Sequence, residues 1–395
     1  MKNVFDITEF GAVGDGVTDD SAAIQRALDE AGEIRGTVLV PPGTYRCADL
    51  KMHRQTSIRG AEAWSFRGNA SSVLALRDAN ARCVINMTGA VGAVVRDLCL
   101  DGNNLGRAEC KQIHGVMIDH PIYDAAAEED TPTVENCRIS GFSGSAVYFN
   151  RVWCSTVRNN MLAHSENGLY LDGWDCFISG NWLSGNRKFG LGTEGIVGAA
   201  VVTSNRVEWN VQGGIKLQNA HFVTVTGNQF DRAGGPLVKI CCTGDRYSRN
   251  ITITGNTFNR SGAGEWVPWY HAEGYDCSQI FAEHAVNLVI TGNNFQCGRD
   301  GIDSDGVYHF GPDYGIVVRH LRASIIRDNV MQSGSVKQNV VDLGGHEEDV
   351  ILRDNVGTVM ESPERWTALL ADRKVEIIRS YFSLSDEEKK AMGLK

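Results

Sequence analysis

A chain of 395 residues with 44 Gly, only 8 Pro and 22% charged residues is rich in turns, which excludes a disordered or collagen-like polymer. The formal charge of -10 is dispersed and no basic stripe is present to neutralise phosphates, which excludes nucleic acid as a partner. No apolar run approaches the roughly 20 residues of a membrane span, so no membrane partner is expected.

Met1 to Phe10 runs straight into strand-like sequence, without a charged stretch followed by an apolar one. No signal peptide is read, and a cytoplasmic location is the expectation. After Gly14-Asp15-Gly16, residues Thr18, Asp19 and Asp20 are expected to supply the N-cap and first-turn acids of a helix. Its apolar stripe is Ala23, Ile24, Ala27 and Leu28, suited to covering the open end of a hydrophobic core. The 11 cysteines are irregularly spaced, and Cys99 and Cys137 sit in apolar alternating segments where a thiol packs as a small hydrophobe. An odd count favours reduced thiols; with no C-x-x-C pair, and with Cys241 and Cys242 adjacent, neither a zinc site nor any other cofactor is expected.

From about residue 90 one phrase recurs: a short alternating strand, a polar residue, Asn, then one or two apolar residues. Its asparagines are Asn160, Asn181, Asn205, Asn228, Asn256, Asn293, Asn329 and Asn355, mostly 21 to 28 residues apart, with longer gaps where loops are inserted. Such a period is one coil of a solenoid, and runs this short are strands rather than amphipathic helices. The fold class is therefore all-β: a right-handed parallel β-helix with an N-terminal capping helix and C-terminal helices. Residues 1–50 form the capping segment, 51–360 the coils with their loops, and 361–395 the helical tail, where Ser362-Pro363-Glu364 and Ser385-Asp386-Glu387 read as helix starts. Stacking places each Asn above the last, so the eight form an internal ladder with a structural role.

A second strand follows each Asn turn, and side chains alternate in and out along it. Val116, Val147, Leu169, Leu191, Ile215, Val238, Ile280 and Ile316 form the inward column. One outward column reads Met117, Tyr148, Tyr170, Gly192, Lys216, Lys239, Phe281 and Val317; the other reads Asp119, Asn150, Asp172, Glu194, Gln218, Cys241, Glu283 and Arg319. Coils lie about 4.8 Å apart, so this register sets Asp172 beside Glu194. Adjacent carboxylates push one pKa up, giving the protonated and ionised pair that glycosidic cleavage needs, at the roughly 5–5.5 Å separation of a retaining mechanism. A second stacked acid pair is Glu208 with Asp231, flanked by Trp209, Arg206 and Arg232.

Long insertions at 101–113, 259–278 and 296–313 precede second strands, the last two on consecutive coils. They offer Trp266, Trp269, Tyr270, His271 and Glu273, then Asp303, Asp305, His309 and Asp313, as a loop wall beside the acids. The Asp303-to-Gly306 run is also a candidate calcium loop.

The opening DITEFGAVGDGVTDD and the following GTVLVPPGTYR resemble the first segment of the pectate-lyase-like superfamily, which includes polygalacturonases and many phage tailspikes. The polygalacturonase N-T-D, D-D and G-H-G elements are missing, and only Gly214-Ile215-Lys216 echoes that family. VVRDLCLDG (94–102) and NRVEWN (205–210) look more like glycosidase-related bacterial β-helix proteins, inulin fructotransferases among them. The resemblance implies a carbohydrate substrate.

Together these readings give an enzyme that cleaves or transfers a glycosidic bond of a small oligosaccharide. Asp172, Glu194, Glu208 and Asp231 are the catalytic candidates, and Asp119, Tyr148, Tyr170, Lys216, Lys239, Trp266, Trp269, His271, Glu283 and Arg319 the substrate-binding ones. The alternative enzyme is a uronate lyase in which Lys216, Lys239 or Arg319 takes a proton while Asp119, Asn150, Asp172 and Glu194 hold Ca²⁺. The alternative of another class is a tailspike-like carbohydrate-binding trimer, so a homo-oligomer is a possible assembly.

Overall fold

The computed structural model describes residues 3–61, 68, 71–123, 129–244, 246–261, 272–297 and 311–360. The alternating segments form short strands, and every strand pairs in parallel with its counterpart one coil away. One coil shows the plan: Leu169–Trp174, a turn, Phe177–Ser179, the Asn181 turn, then Trp182–Ser184. The first two strands of each coil lie in a 24-stranded sheet and the third in a 13-stranded sheet, so the chain is a parallel β-helix. Among the described residues there is a single α-helix.

The inward column holds the expected register. Val116, Val147, Leu169, Leu191, Ile215, Val238, Ile280 and Ile316 are successive partners, all fully buried. Phe230, Phe258 and Phe295 stack within the same core with ring centroids 4.8 and 4.7 Å apart, the spacing of neighbouring strands.

The asparagine ladder is continuous from Asn160 to Asn355: each rung's backbone N–H and side-chain amide both donate to the carbonyl oxygen of the next rung. A second, shorter ladder runs through Ser165, Asn186 and Asn210, each five residues after a rung of the first. Buried amides that satisfy one another along the axis fix the stacking register where apolar contacts alone would allow a slip.

The helix Ser21–Ile34 buries Ala23, Ile24, Ala27 and Leu28 as expected, with Ala31 in addition. Its cap differs from the expectation. Asp20 occupies the N-cap position with its carbonyl accepting the Ile24 N–H, but its side chain makes no capping bond and no acid lies in the first turn. Its carboxylate instead accepts the N–H groups of Val13 (2.7 Å) and Gly14 (3.2 Å), because those turn amides are otherwise unpaired and Asp20 is itself buried. The helices expected in 361–395 lie outside the described residues.

Candidate active-site groove

The middle outward column has the expected register from Met117 through Tyr148 and Tyr170 to Gly192, and from Lys216 through Lys239 and Phe281 to Val317. Gly192 contributes no side chain, and a groove of about 430 Å³ opens there, lined by Tyr148, Glu166, Tyr170, Lys188, Glu194 and Lys216 among others. A Cβ on Gly192 would sit 2.6 Å from the Asn167 side-chain oxygen, so glycine is what lets Asn167 pack beneath the groove.

Aromatic rings build one end. His114, Tyr148 and Tyr170 stack with centroids 4.2 and 4.7 Å apart. The Ser145 N–H donates to His114 Nδ1 at 3.0 Å, which sets the neutral tautomer protonated at Nε2. Burial pulls the His114 pKa down to about 4. Burial, reinforced by Tyr148 and Asp172, pushes the Tyr170 phenol up to about 12, and burial also raises Tyr148. Both phenols are therefore proton donors at neutral pH.

The expected Asp172–Glu194 pair is not what the ladder makes. Pairing stops at Tyr170 with Gly192 and resumes at Gly173 with Val197, so residues 171–172 face the longer run 193–196. In that bulge the Asp172 carboxylate packs against Gly195, where a Cβ would come within 2.2 Å, and accepts the Ile196 N–H at 3.0 Å. The Tyr123 hydroxyl donates to the same Asp172 oxygen, and burial plus this bond hold the Tyr123 phenol well above its ordinary pKa. Asp172 is buried, whereas Glu194 is exposed at the groove with no ion pair among the described residues.

Glu208 and Asp231 are cross-strand partners, as the register predicts, but on the 13-stranded sheet rather than in the groove. Both are buried and both are satisfied. Glu208 accepts from Trp182 Nε1 (2.7 Å) and Arg206 Nε (2.8 Å). Asp231 takes two bonds of 2.9 Å from Arg260 and another from Arg232. Burial raises the Asp231 pKa and the two arginines oppose the rise.

Other candidates are also engaged. Asp119 pairs with Arg82 and accepts from Asn150, both at 2.8 Å; Lys239 is held by Asp276 at 2.8 Å; and Arg319 forks onto Glu283. Of the set expected to hold Ca²⁺, Asp119, Asn150 and Asp172 are successive cross-strand partners, but Asp119 is taken by Arg82, Asp172 by Tyr123 and the Ile196 N–H, and Glu194 is split off by the bulge; among the described residues no group of three His, Cys, Asp or Glu is placed to hold a metal. Trp266, Trp269, Tyr270, His271, Asp303, Asp305 and His309 lie outside the described residues; Asp313 pairs with Lys337 at 2.8 Å.

The sequence reading missed Glu166, Lys188 and Gln212. They form a turn column on the groove's edge, with Lys188 ion-paired to Glu166 at 3.0 Å. Their signal was phase: each lies three residues before an inward residue, Leu169, Leu191 or Ile215. Tyr123 had no such signal, since it follows its strand in an irregular segment.

Residues 4–235 match the family described as rhamnogalacturonase A/epimerase, pectate lyase-like, and residues 154–356 match the right-handed β-helix region. The chain belongs to the rhamnogalacturonase A/epimerase, pectate lyase-like family. The β-helix is accordingly right-handed. Mannuronan C5-epimerase AlgE6 of Azotobacter vinelandii is 29% identical over 177 residues, covering 42% of this chain and 20% of that protein. AlgE4 of the same organism is 34% identical over 114 residues, 25% of this chain and again 20% of that protein. The match thus spans about a fifth of each relative's length. The solved A-module of AlgE6 aligns with a TM-score of 0.66 at 17% identity, over 90% of this chain and 100% of that one. DFA-IIIase from Arthrobacter chlorophenolicus A6 gives 0.59 at 14%, over 92% and 100%, and the Dettilon tailspike 0.58 at 13%, over 86% and 68%. At these identities the structural likeness is one of fold, a β-helix used by carbohydrate-active proteins.

Among the described residues no helix is long and apolar enough to cross a membrane.

Proposed function

We propose that the groove binds an acidic glycan and transfers the proton at C5 of a uronate unit, the chemistry shared by uronate epimerases and lyases. The observation that carries this reading is Lys216. It lines the groove one coil beyond Gly192, and among the described residues its ammonium has no hydrogen bond or ion pair, whereas Lys239 in the same column is held by Asp276. A lone cation beside a sugar-sized opening suits a carboxylate, and neutralising that carboxylate acidifies the neighbouring C5–H. In this reading Lys216 takes the uronate carboxylate, Glu194 accepts the C5 proton, and the Tyr170 phenol returns one. Return to the opposite face gives the C5 epimer; loss of the O4 substituent instead gives an unsaturated product. The relatives named as mannuronan C5-epimerases support this class of substrate.

Glycosidic cleavage remains the second reading, supported by Glu166 and Glu194 lining one groove, with Glu166 taking the place expected for Asp172. The test uses uronate oligosaccharides tritiated at C5. Proton transfer releases the label to water, while glycosidic cleavage keeps it on carbon. Ultraviolet absorbance of an unsaturated product then separates a lyase from an epimerase.

A further inference from the structure

Beyond the bulge, the same coils carry another outward column that the groove does not use. Trp153, Trp174, Gly198, His221 and Arg249 are successive cross-coil partners. The Trp153 and Trp174 rings lie 6.3 Å apart at 20°, and Trp174 lies 5.9 Å from His221 at 46°. These separations exceed the 4.7 Å of Tyr148 on Tyr170, so the rings are offset, and both tryptophans stay half-exposed although the Tyr123 ring meets Trp153 edge-on at 6.1 Å. Gly198 makes the arrangement possible: a Cβ there would fall 2.1 Å from the Trp174 ring.

The same ledge gathers positive charge. Arg246 and Arg249 are exposed, and among the described residues neither guanidinium has an ion pair or a hydrogen bond. Both act on His221, adding to burial in lowering its pKa. Beside His221, Phe222 is 60% exposed and holds a φ of 58°, a conformation that costs a bulky side chain energy without any core contact in return. Two exposed, unpaired arginines, Arg249 the cross-coil partner of His221 and Arg246 three residues before it, in a chain of net charge -10, are poised for an anion. The tryptophans specify which kind, because ring surface packs against the C–H faces of a sugar while the arginines fork its carboxylates.

We propose that Trp153, Trp174, His221, Arg246 and Arg249 form a second binding site, for an acidic oligosaccharide, distinct from the groove. The column spans four coil spacings, roughly 19 Å, enough for several sugar rings laid along the helix axis. The site holds a polymeric substrate beside the groove, and it binds whether or not the groove performs the chemistry proposed above.

Calorimetric titration with an oligomannuronate hexamer tests it, with maltohexaose and an aspartate-rich peptide as the other probes. The wild-type chain is expected to bind two hexamers, one at each site, and the R246Q/R249Q variant one, with affinity at the ledge reduced by about tenfold or more. Trp174→Ala should weaken the same site; if that variant does not fold, the exposed arginine pair still decides. The Lys216→Met variant should lose only the groove event, so failure of the groove assignment and failure of the ledge are separately visible. Unchanged stoichiometry and affinity in R246Q/R249Q, or peptide binding as tight as that of the acidic hexamer, would overturn the proposal.

Discussion

Replacing Asn205 with Ala removes a rung from the middle of the ladder. Asn205 Oδ1 accepts the Asn181 N–H at 2.9 Å and the Asn181 amide at 3.0 Å, while its own Nδ2 donates to the Ile178 carbonyl at 2.9 Å and to Asn228 at 3.0 Å. Three of these partners have a second bond in reserve: the Asn181 amide keeps the Val157 carbonyl, Asn228 keeps the Asn205 N–H, and the Ile178 carbonyl keeps its sheet bond from the Thr203 N–H. The Asn181 N–H alone loses its bond without a replacement. For one orphaned buried group the cost is about 1–3 kcal/mol. Because neighbouring coils unfold semi-independently in a solenoid, the readout is hydrogen exchange of the Asn181 amide together with the urea midpoint. Exposed Gln229→Ala, on the adjacent strand, serves as control and should shift stability by no more than about 0.5 kcal/mol. If Asn205→Ala behaves like that control and Asn181 stays protected, the ladder is not what fixes the register.

Lys216→Met should cut turnover by at least about 10²-fold with the fold intact, as expected for a charge acting on the developing anion, measured by steady-state kinetics on uronate oligomers. Asp231→Asn should instead cost about 3–5 kcal/mol of stability by leaving Arg260 and Arg232 without a full counter-charge, while turnover per folded molecule stays unchanged; a selective loss of turnover would restore Asp231 to catalysis. His114 is held neutral, its folded pKa of about 4 lying below the ordinary 6.5. Its contribution is thus complete above pH 6.5 and declines as pH falls towards 4, by about 3 kcal/mol, and urea titrations of a His114→Gln variant should lack that slope.

The fold was legible because it is written in repetition. Eight asparagines at coil spacing and an inward column without a polar interruption specify parallel stacking, and each buried position follows from counting. The count fails where a coil carries extra residues. Between Gly192 and Val197 the chain bulges, and Asp172 turns to Tyr123 and to the Ile196 N–H rather than to Glu194. Nothing local marks that shift except Gly195 and Gly198, whose missing side chains admit Asp172 and Trp174. Tyr148, Tyr170, Lys216 and Glu194 were found from phase alone and do meet in one groove. Glu208 and Asp231 were placed correctly as a pair flanked by Arg206 and Arg232, which do pair with them; only Arg260, reaching Asp231 from the next coil, could not be read from the sequence.

The most direct test of the proposed chemistry is the fate of hydrogen at C5 of a bound uronate. With a C5-tritiated oligouronate, the account predicts tritium release into water by the wild-type chain and release at least about 10²-fold slower by Lys216→Met. Turnover that cleaves glycosidic bonds while the label stays on carbon would contradict it and return the groove to Glu166 and Glu194 as a glycosidase pair.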